Sequence, residues 1–136
     1  MRSILLSIPV LTVALLLEAR ACDCAPNPPP KEALAKAAAV FSAKVIKIED
    51  DGAAGRKVTL TIQEVWKGVD GKTVVVSTAK SGAACGYGFQ QDQSYLVYAY
   101  KEGAGLRVSL CSRTTPLDKA KDDLKEIGQG KAPEGK

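Results

Sequence analysis

The sequence predicts an all-β domain with flanking helices: a five-stranded, OB-fold-like closed barrel with a C-terminal helix. Three observations carry this expectation. Five runs rich in β-branched and aromatic residues lie between Val40 and Cys111, separated by polar or glycine-containing turns. The first run switches the side on which its apolar residues fall, as a strongly coiled strand does. Helix signals occur only before the first run and after the last. A sandwich of seven strands needs more strands than these runs supply.

The elements follow in order. Met1 to Ala21 reads as a secretory signal: Arg2 supplies the positive start, an apolar run spans Ile4 to Leu17, and Ala19-Arg20-Ala21 suits cleavage. The run is shorter than the roughly 20 residues a spanning helix needs. Residues 22–128 form the barrel domain, and residues 129–136, polar with Gly and Pro, are expected to be a disordered tail. Asn27-Pro28-Pro29-Pro30 is stiff and extended, because proline fixes φ and lacks an N–H. Lys31 to Ala39, rich in alanine, predicts a short helix.

Val40 to Ile48 is the first strand: Phe41, Ala43 and Val45 share one parity, Ile46 and Ile48 the other. Arg56 to Lys67 alternates well through Val58, Leu60, Ile62 and Trp66, with Glu64 and Val65 breaking the pattern near the end, and Thr73 to Thr78 is β-branched. Ala79 to Ser94 is irregular. Tyr95 to Tyr100 is apolar on both faces, as a central strand is, and Leu106 to Cys111 alternates as a fifth strand. Thr115 suits an N-cap, Pro116 a first helical position and Gly128 a stop; Leu117, Ala120, Leu124 and Ile127 share one face between them.

Composition narrows the chemistry. The net charge of +4 is mild and its Lys and Arg are scattered, so no basic stripe points to nucleic acid, although OB barrels often bind single strands. There is no histidine, hence neither the commonest general base nor the commonest zinc ligand. No nucleophile elbow, phosphate loop or suggestive carboxylate pair is present, so an enzyme is not expected, nor a cofactor or a resident metal. Glu49-Asp50-Asp51 is read as a solvated acidic turn rather than a calcium site.

The four cysteines, Cys22, Cys24, Cys85 and Cys111, predict two disulfides in an exported chain. A Cys22–Cys24 bridge closes a strained small ring. The two remaining pairings both staple the start of the domain into its body, each stabilising by about 4 kcal/mol at most in the chain-entropy model. A four-cysteine zinc site fits the Cys-x-Cys spacing and oxidising compartment poorly. Cys22 as the acylated residue of a lipoprotein is a further alternative, disfavoured by Ala19 where such signals usually carry Leu.

Cys22-Asp23-Cys24-Ala25-Pro26 at a mature terminus resembles the inhibitory domain of the tissue inhibitors of metalloproteinases, and more broadly the netrin-like modules. The resemblance continues in order through Val40-Phe41-Ser42-Ala43-Lys44-Val45, Val65-Trp66-Lys67-Gly68, Cys85-Gly86, Tyr95-Leu96-Val97 and Leu110-Cys111. It covers the chain from Cys22 to Ile127. It implies the bridges Cys22–Cys85 and Cys24–Cys111 and a minimal single-domain member, lacking the third bridge and the additional cysteine-rich region of animal inhibitors.

The resemblance also implies a secreted protein, extracellular or periplasmic, whose partner is a zinc metalloprotease. The amine and carbonyl of Cys22 are then expected to chelate the partner's zinc, with Asp23, Cys24, Ala25, Pro26, Ala83 and Ala84 contacting the protease. Asp23 departs from the family, whose animal members place a small hydroxyl residue there. The alternative is a non-inhibitory extracellular module that binds a protein or glycan, with Tyr87, Phe89, Tyr95, Tyr98 and Tyr100 as its candidate surface, although core and barrel packing is the favoured reading of Tyr95, Tyr98 and Tyr100. No nucleic acid is expected as a partner, nor a membrane unless Cys22 is lipidated. The sequence does not specify an oligomeric state.

Overall fold

The computed structural model describes residues 21–135; the expected signal, apart from Ala21, lies outside the described residues. Helix α1 (Pro30–Lys36) leads into β1 (Ala39–Asp50), β2 (Arg56–Lys67) and β3 (Thr73–Thr78). After a turn of 3-10 helix at Gly82–Ala84 come β4 (Ser94–Glu102), β5 (Gly105–Arg107), the two-residue β6 (Thr115–Pro116) and α2 (Lys121–Ile127).

The strand order is β1-β2-β3-β5-β4, and β4 pairs back onto β1. That last pairing, Ala39 opposite Ala99 to Lys44 opposite Ser94, closes the barrel. The β3–β5 contact is parallel and short, Val76 to Leu106 and Ser77 to Arg107, while the other pairings are antiparallel. The expected closed five-stranded barrel with a C-terminal helix is thus the observed architecture, with β6 added along β4.

Strand β1 serves both sides of the barrel wall. Its register against β2 shifts between Val40 and Phe41, between Ser42 and Ala43, and between Val45 and Lys47. The last shift falls where the apolar parity switches in the sequence, and Ile46 is left exposed there. Phe41, Val45, Val58, Leu60, Val76, Val97 and Val108 fill the interior. On the outside, Val40, Leu96 and Tyr98 pack with Ala33 and Ala120 beneath the two helices. Tyr95 and Tyr98 therefore lie on opposite faces of β4 and are both buried.

Trp66-Lys67-Gly68 ties the helices to the barrel. Lys67 Nζ donates to the carbonyls of Leu34 and Ala35 at 3.3 and 2.8 Å, near the end of α1 where carbonyls lack intrahelical partners. Trp66 Nε1 donates to the Gly128 carbonyl at 3.0 Å, just beyond α2. Gly68 has φ +80°, and a Cβ there would strike the Ala38 carbonyl oxygen, so glycine is required on both counts.

Five expectations change. Helix α1 ends at Lys36, and Ala39, expected to be helical, opens β1 because it pairs with Ala99 of β4. Pro30, expected in the extended proline segment, opens α1, because a first helical residue needs no N–H. Strand β5 ends at Arg107 rather than Cys111. Beyond it the Val108 N–H still bonds Ser77, but the Ser112 N–H and Oγ both donate to the Ser109 carbonyl, curling the chain and leaving Leu110 exposed. Thr115 and Pro116 form β6 instead of starting a helix, because Leu96 and Tyr95 of β4 pair with them. Helix α2 therefore begins at Lys121, after a 3-10 turn over Leu117–Lys119. Finally, part of the expected disordered tail is anchored: Lys131 exchanges two backbone hydrogen bonds of 2.8 Å with Val65, and the Gly130 N–H donates to Glu64 Oε2.

Candidate functional site: the disulfide-anchored terminal ridge

Three stretches meet at the start of the domain: residues 22–29, the β3–β4 connector around Cys85, and the 109–113 turn. Cys22 joins Cys85 and Cys24 joins Cys111, each with Cα atoms 5.1 Å apart, and no described cysteine is free. This is the pairing that the resemblance implies. The two bridges touch: Cys22 Sγ lies 3.5 Å from Cys111 Sγ and 3.9 Å from Cys24 Sγ. All four sulfurs are spent in bonds, so the oxidised cluster offers no thiolate to a metal.

Local chemistry places Cys85. Ser81 Oγ accepts from the Ala84 N–H at 3.3 Å, at the start of the Gly82–Ala84 turn. Cys85 then takes a left-handed conformation, φ 63°. At Gly86 a Cβ would collide with the Ala79 carbonyl oxygen, so only glycine lets the chain double back this tightly. The Leu110 N–H donates to the Cys85 carbonyl at 2.8 Å, and Gly86 bridges Ser109. These backbone bonds hold the two anchor turns together independently of sulfur.

A partly buried ion pair carries the ridge onto the helix. Arg113 donates through Nε and Nη2 to Asp123 Oδ2 and Oδ1 at 2.9 and 2.6 Å, and through Nη1 to the Pro28 carbonyl at 3.1 Å. Tyr98 Oη donates to Asp123 Oδ2 at 2.9 Å from beneath. Asp123 is only 7% exposed. Burial pushes its carboxyl up, but the hydrogen bonds from Arg113 and Tyr98, with the guanidinium charge, outweigh that and hold it below the ordinary range. Burial, followed by the bond to Asp123, raises the Tyr98 phenol. Asn27 Nδ2 adds a long contact to the Ser112 carbonyl at 3.5 Å.

The sequence-predicted residues fall as follows. Cys22 is half-buried, while Asp23, Cys24, Ala25 and Pro26 are exposed. Ala83 and Ala84 are exposed on the turn that runs into Cys85, so the bridge brings that turn beside Cys22. The site is a projecting ridge. The concavity lined by Val65, Trp66, Val69, Gln129 and Lys131 involves none of these residues.

The residues not anticipated here are Leu110, Arg113 and Asp123, and Tyr98, expected on the alternative aromatic surface, joins them by its bond to Asp123. Leu110, 45% exposed, adds an apolar side chain next to Cys111. Asp123 carried one sequence signal: it sits three residues after Ala120 and four before Ile127, on the apolar face of α2, where a lone carboxylate needs a partner. Nothing comparable marked Arg113.

Burial removes most of the alternative aromatic surface, with the favoured core reading holding for Tyr95 and Tyr98 but not for Tyr100. Phe89, Tyr95 and Tyr98 are inside, and Tyr87 is half-buried against the rings of Phe89 and Tyr95, 4.7 and 5.6 Å away. Burial, with the neighbouring Tyr95, pushes the Tyr87 hydroxyl up to about 12. Only Tyr100 is exposed. In the acidic turn, Asp50 pairs with Lys80 at 3.0 Å and accepts from the Gly52 N–H; these bonds, that with Lys80 foremost, hold its carboxyl below the ordinary range.

Among the described residues no helix is long and apolar enough to cross a membrane. No curated protein matches the chain. The family model described as tissue inhibitor of metalloproteinase matches residues 20–123, from the residues before the ridge into α2. Its name denotes inhibitors, not enzymes. With the barrel, the paired anchors and a family match over most of its length, the chain belongs to the tissue inhibitor of metalloproteinase family.

Proposed function

We propose that this protein is an exported inhibitor of a zinc metalloprotease that acts through a mature amino terminus at Cys22. The observation that carries the reading is the convergence of both disulfides on Cys22 and Cys24, the first and third residues of that terminus. A catalytic zinc keeps one open position, normally filled by water. The α-amine and carbonyl oxygen of one residue form a compact chelate that displaces it. A free α-amine has a pKa of about 7.7–8.0, so a usable fraction is neutral near pH 7. The bridges order the terminus before binding, which lowers the entropy lost on association. Asp23, Cys24, Ala25, Pro26, Ala83 and Ala84 then contact the protease, and the zinc belongs to the partner.

The test is a blocked terminus. Placing one alanine before Cys22, or acetylating its amine, is expected to abolish inhibition across a panel of zinc metalloproteases while leaving the thermal transition unchanged. Inhibition of undiminished potency would remove chelation as the mechanism. Asp23 favours a second reading, because an exposed carboxylate at the leading edge is costly to bury without a partner. On that reading the domain is a non-inhibitory extracellular module, and the added alanine leaves its binding unaltered.

A further inference from the structure

We propose that the trench between the Tyr87–Gln93 connector and the Pro116–Lys119 turn is a binding site for a neutral oligosaccharide. The site stands apart from both readings of the terminus, since none of Cys22 to Pro26, Ala83 or Ala84 lines it. The trench holds about 310 Å³, at the lower end of the range for small-molecule sites. A second hollow of about 410 Å³, bordered also by Ser94 and Leu117, shares Gln93 and Asp118 with it. Adjoining hollows suit a chain of sugar rings better than one compact ligand. This is not the exposed aromatic face expected from the sequence: Tyr98 and Tyr100 lie outside it, and Phe89 is inside the barrel.

The lining is polar and uncommitted. Tyr95 Oη accepts from the Gln90 N–H at 2.9 Å, so its own proton remains to be donated. Burial, followed by the neighbouring Tyr95, raises the Tyr87 hydroxyl to about 12, so it too stays a protonated donor at neutral pH. Among the described residues no hydrogen bond engages the side-chain amides of Gln90 and Gln93, and no ion pair engages Asp118 or Lys119. One carboxylate and one ammonium leave the lining without net charge, which favours a neutral ligand over an anion or a cation. Phenols, amides and a carboxylate together offer donors and acceptors, and a sugar hydroxyl is both at once. The frame is fixed before a ligand arrives. The Tyr87 N–H donates to Thr78 Oγ1 at 2.7 Å, and that buried hydroxyl donates to the Val108 carbonyl, also at 2.7 Å. Tyr95 pairs with Pro116 between β4 and β6, which ties one wall to the other. Such preorganisation lowers the ordering cost of binding.

The test turns on Gly88, which lines the trench and whose added Cβ would meet nothing within 4 Å. A large side chain there is expected to fill the trench and leave the barrel undisturbed. The oxidised chain, with its Cys22 amine free or with one alanine placed before it, is titrated with maltotriose and with chitotriose, and amide shifts are followed by NMR. The expected result is saturable shifts confined to residues 87–95 and 116–119, with at least one of the two sugars and equally for both starts. Gly88→Phe is expected to weaken that binding at least about tenfold at an unchanged thermal transition, while Gly88→Ala retains it. Gln93→Ala/Asp118→Ala, which alters only exposed side chains, is expected to give a comparable loss without adding bulk. No saturable shift with either sugar, shifts centred elsewhere, undiminished binding by Gly88→Phe, or tighter binding of a sulfated trisaccharide at the same residues would each overturn the proposal. Loss of protease inhibition in the alanine-extended chain leaves sugar binding untouched, so the two proposals fail separately.

Discussion

Inside the barrel, Phe41, Val45, Val58 and Leu60 are wholly buried and pack into one continuous cluster. On the ridge, Asp23, Cys24, Ala25 and Pro26 are all exposed, and the segment belongs to no sheet. The interior is rigid because it excludes water. The ridge is rigid because two covalent bridges and one guanidinium fix it at Cys22, Cys24 and Pro28. A surface that must meet a partner cannot bury its own side chains. Covalent anchors and bonds to the backbone provide rigidity at no cost in exposure.

The strongest way to break this contrast is at the core. Phe41→Ala is expected to cost about 3–5 kcal/mol, through lost transfer energy and a residual cavity. Urea unfolding measures it, and both bridges are still expected to form in the folded fraction. A loss below about 1 kcal/mol would mean that the disulfides, not the interior, hold the barrel. Next comes Cys24→Ser/Cys111→Ser, expected to cost about 2–4 kcal/mol by freeing the unfolded chain. Its distinguishing readout is local: the Leu110 amide, bonded to Cys85, should exchange faster while amides of β1 and β2 keep the protection that global stability allows.

Smaller again is Arg113→Gln, which removes the fork on Asp123 and the bond to Pro28 for about 2 kcal/mol, in the range of hydrogen bonds to charged groups. The same latch sets an acid limit. Because the folded Asp123 carboxyl lies below its unfolded value, its contribution is fully present above the ordinary carboxylate pKa of about 3.9 and is lost as pH falls through the folded value. Between about pH 5 and pH 2, the native protein should lose stability more steeply than Asp123→Asn. Parallel profiles would show that the pair does not stabilise the fold.

How much of this was legible depends on where each determinant resides. Strands β2 and β3 were readable to the residue, since alternation over most of Arg56–Lys67 and β-branched residues in Thr73–Thr78 are local signals flanked by Gly55, Gly68 and Gly71. The β1 irregularity was visible as a parity switch at Val45 and Ile46, although the other two register shifts left no such mark. Thr115-Pro116 misled because it suits a helix start as well as an edge strand; free positions along β4 decided between them, and those are tertiary. At the site, Cys22 and Cys24 announced themselves by spacing, and the choice between the two long pairings came through the resemblance. The Arg113–Asp123–Tyr98–Pro28 network joins four separate segments, and no periodicity records such a meeting.

The subtlest change in stability is also the most informative about function. Asp23 is exposed, and a surface substitution such as Asp23→Ser is expected to alter stability by less than about 0.5 kcal/mol. If the proposed protease complex forms, the same position leaves water, and an unpaired carboxylate then carries a desolvation cost that serine does not. Asp23→Ser is therefore expected to inhibit matrix-type metalloproteases at least about tenfold more tightly than the natural chain, or one step of about 1.4 kcal/mol. Inhibition constants measured alongside urea unfolding separate the two effects. Weaker inhibition by the serine variant of one particular protease would point to a cationic partner for Asp23 in that enzyme. Equal inhibition by both chains would place residue 23 outside the interface, and the ridge would have to engage its partner through Ala83, Ala84 and Leu110 instead.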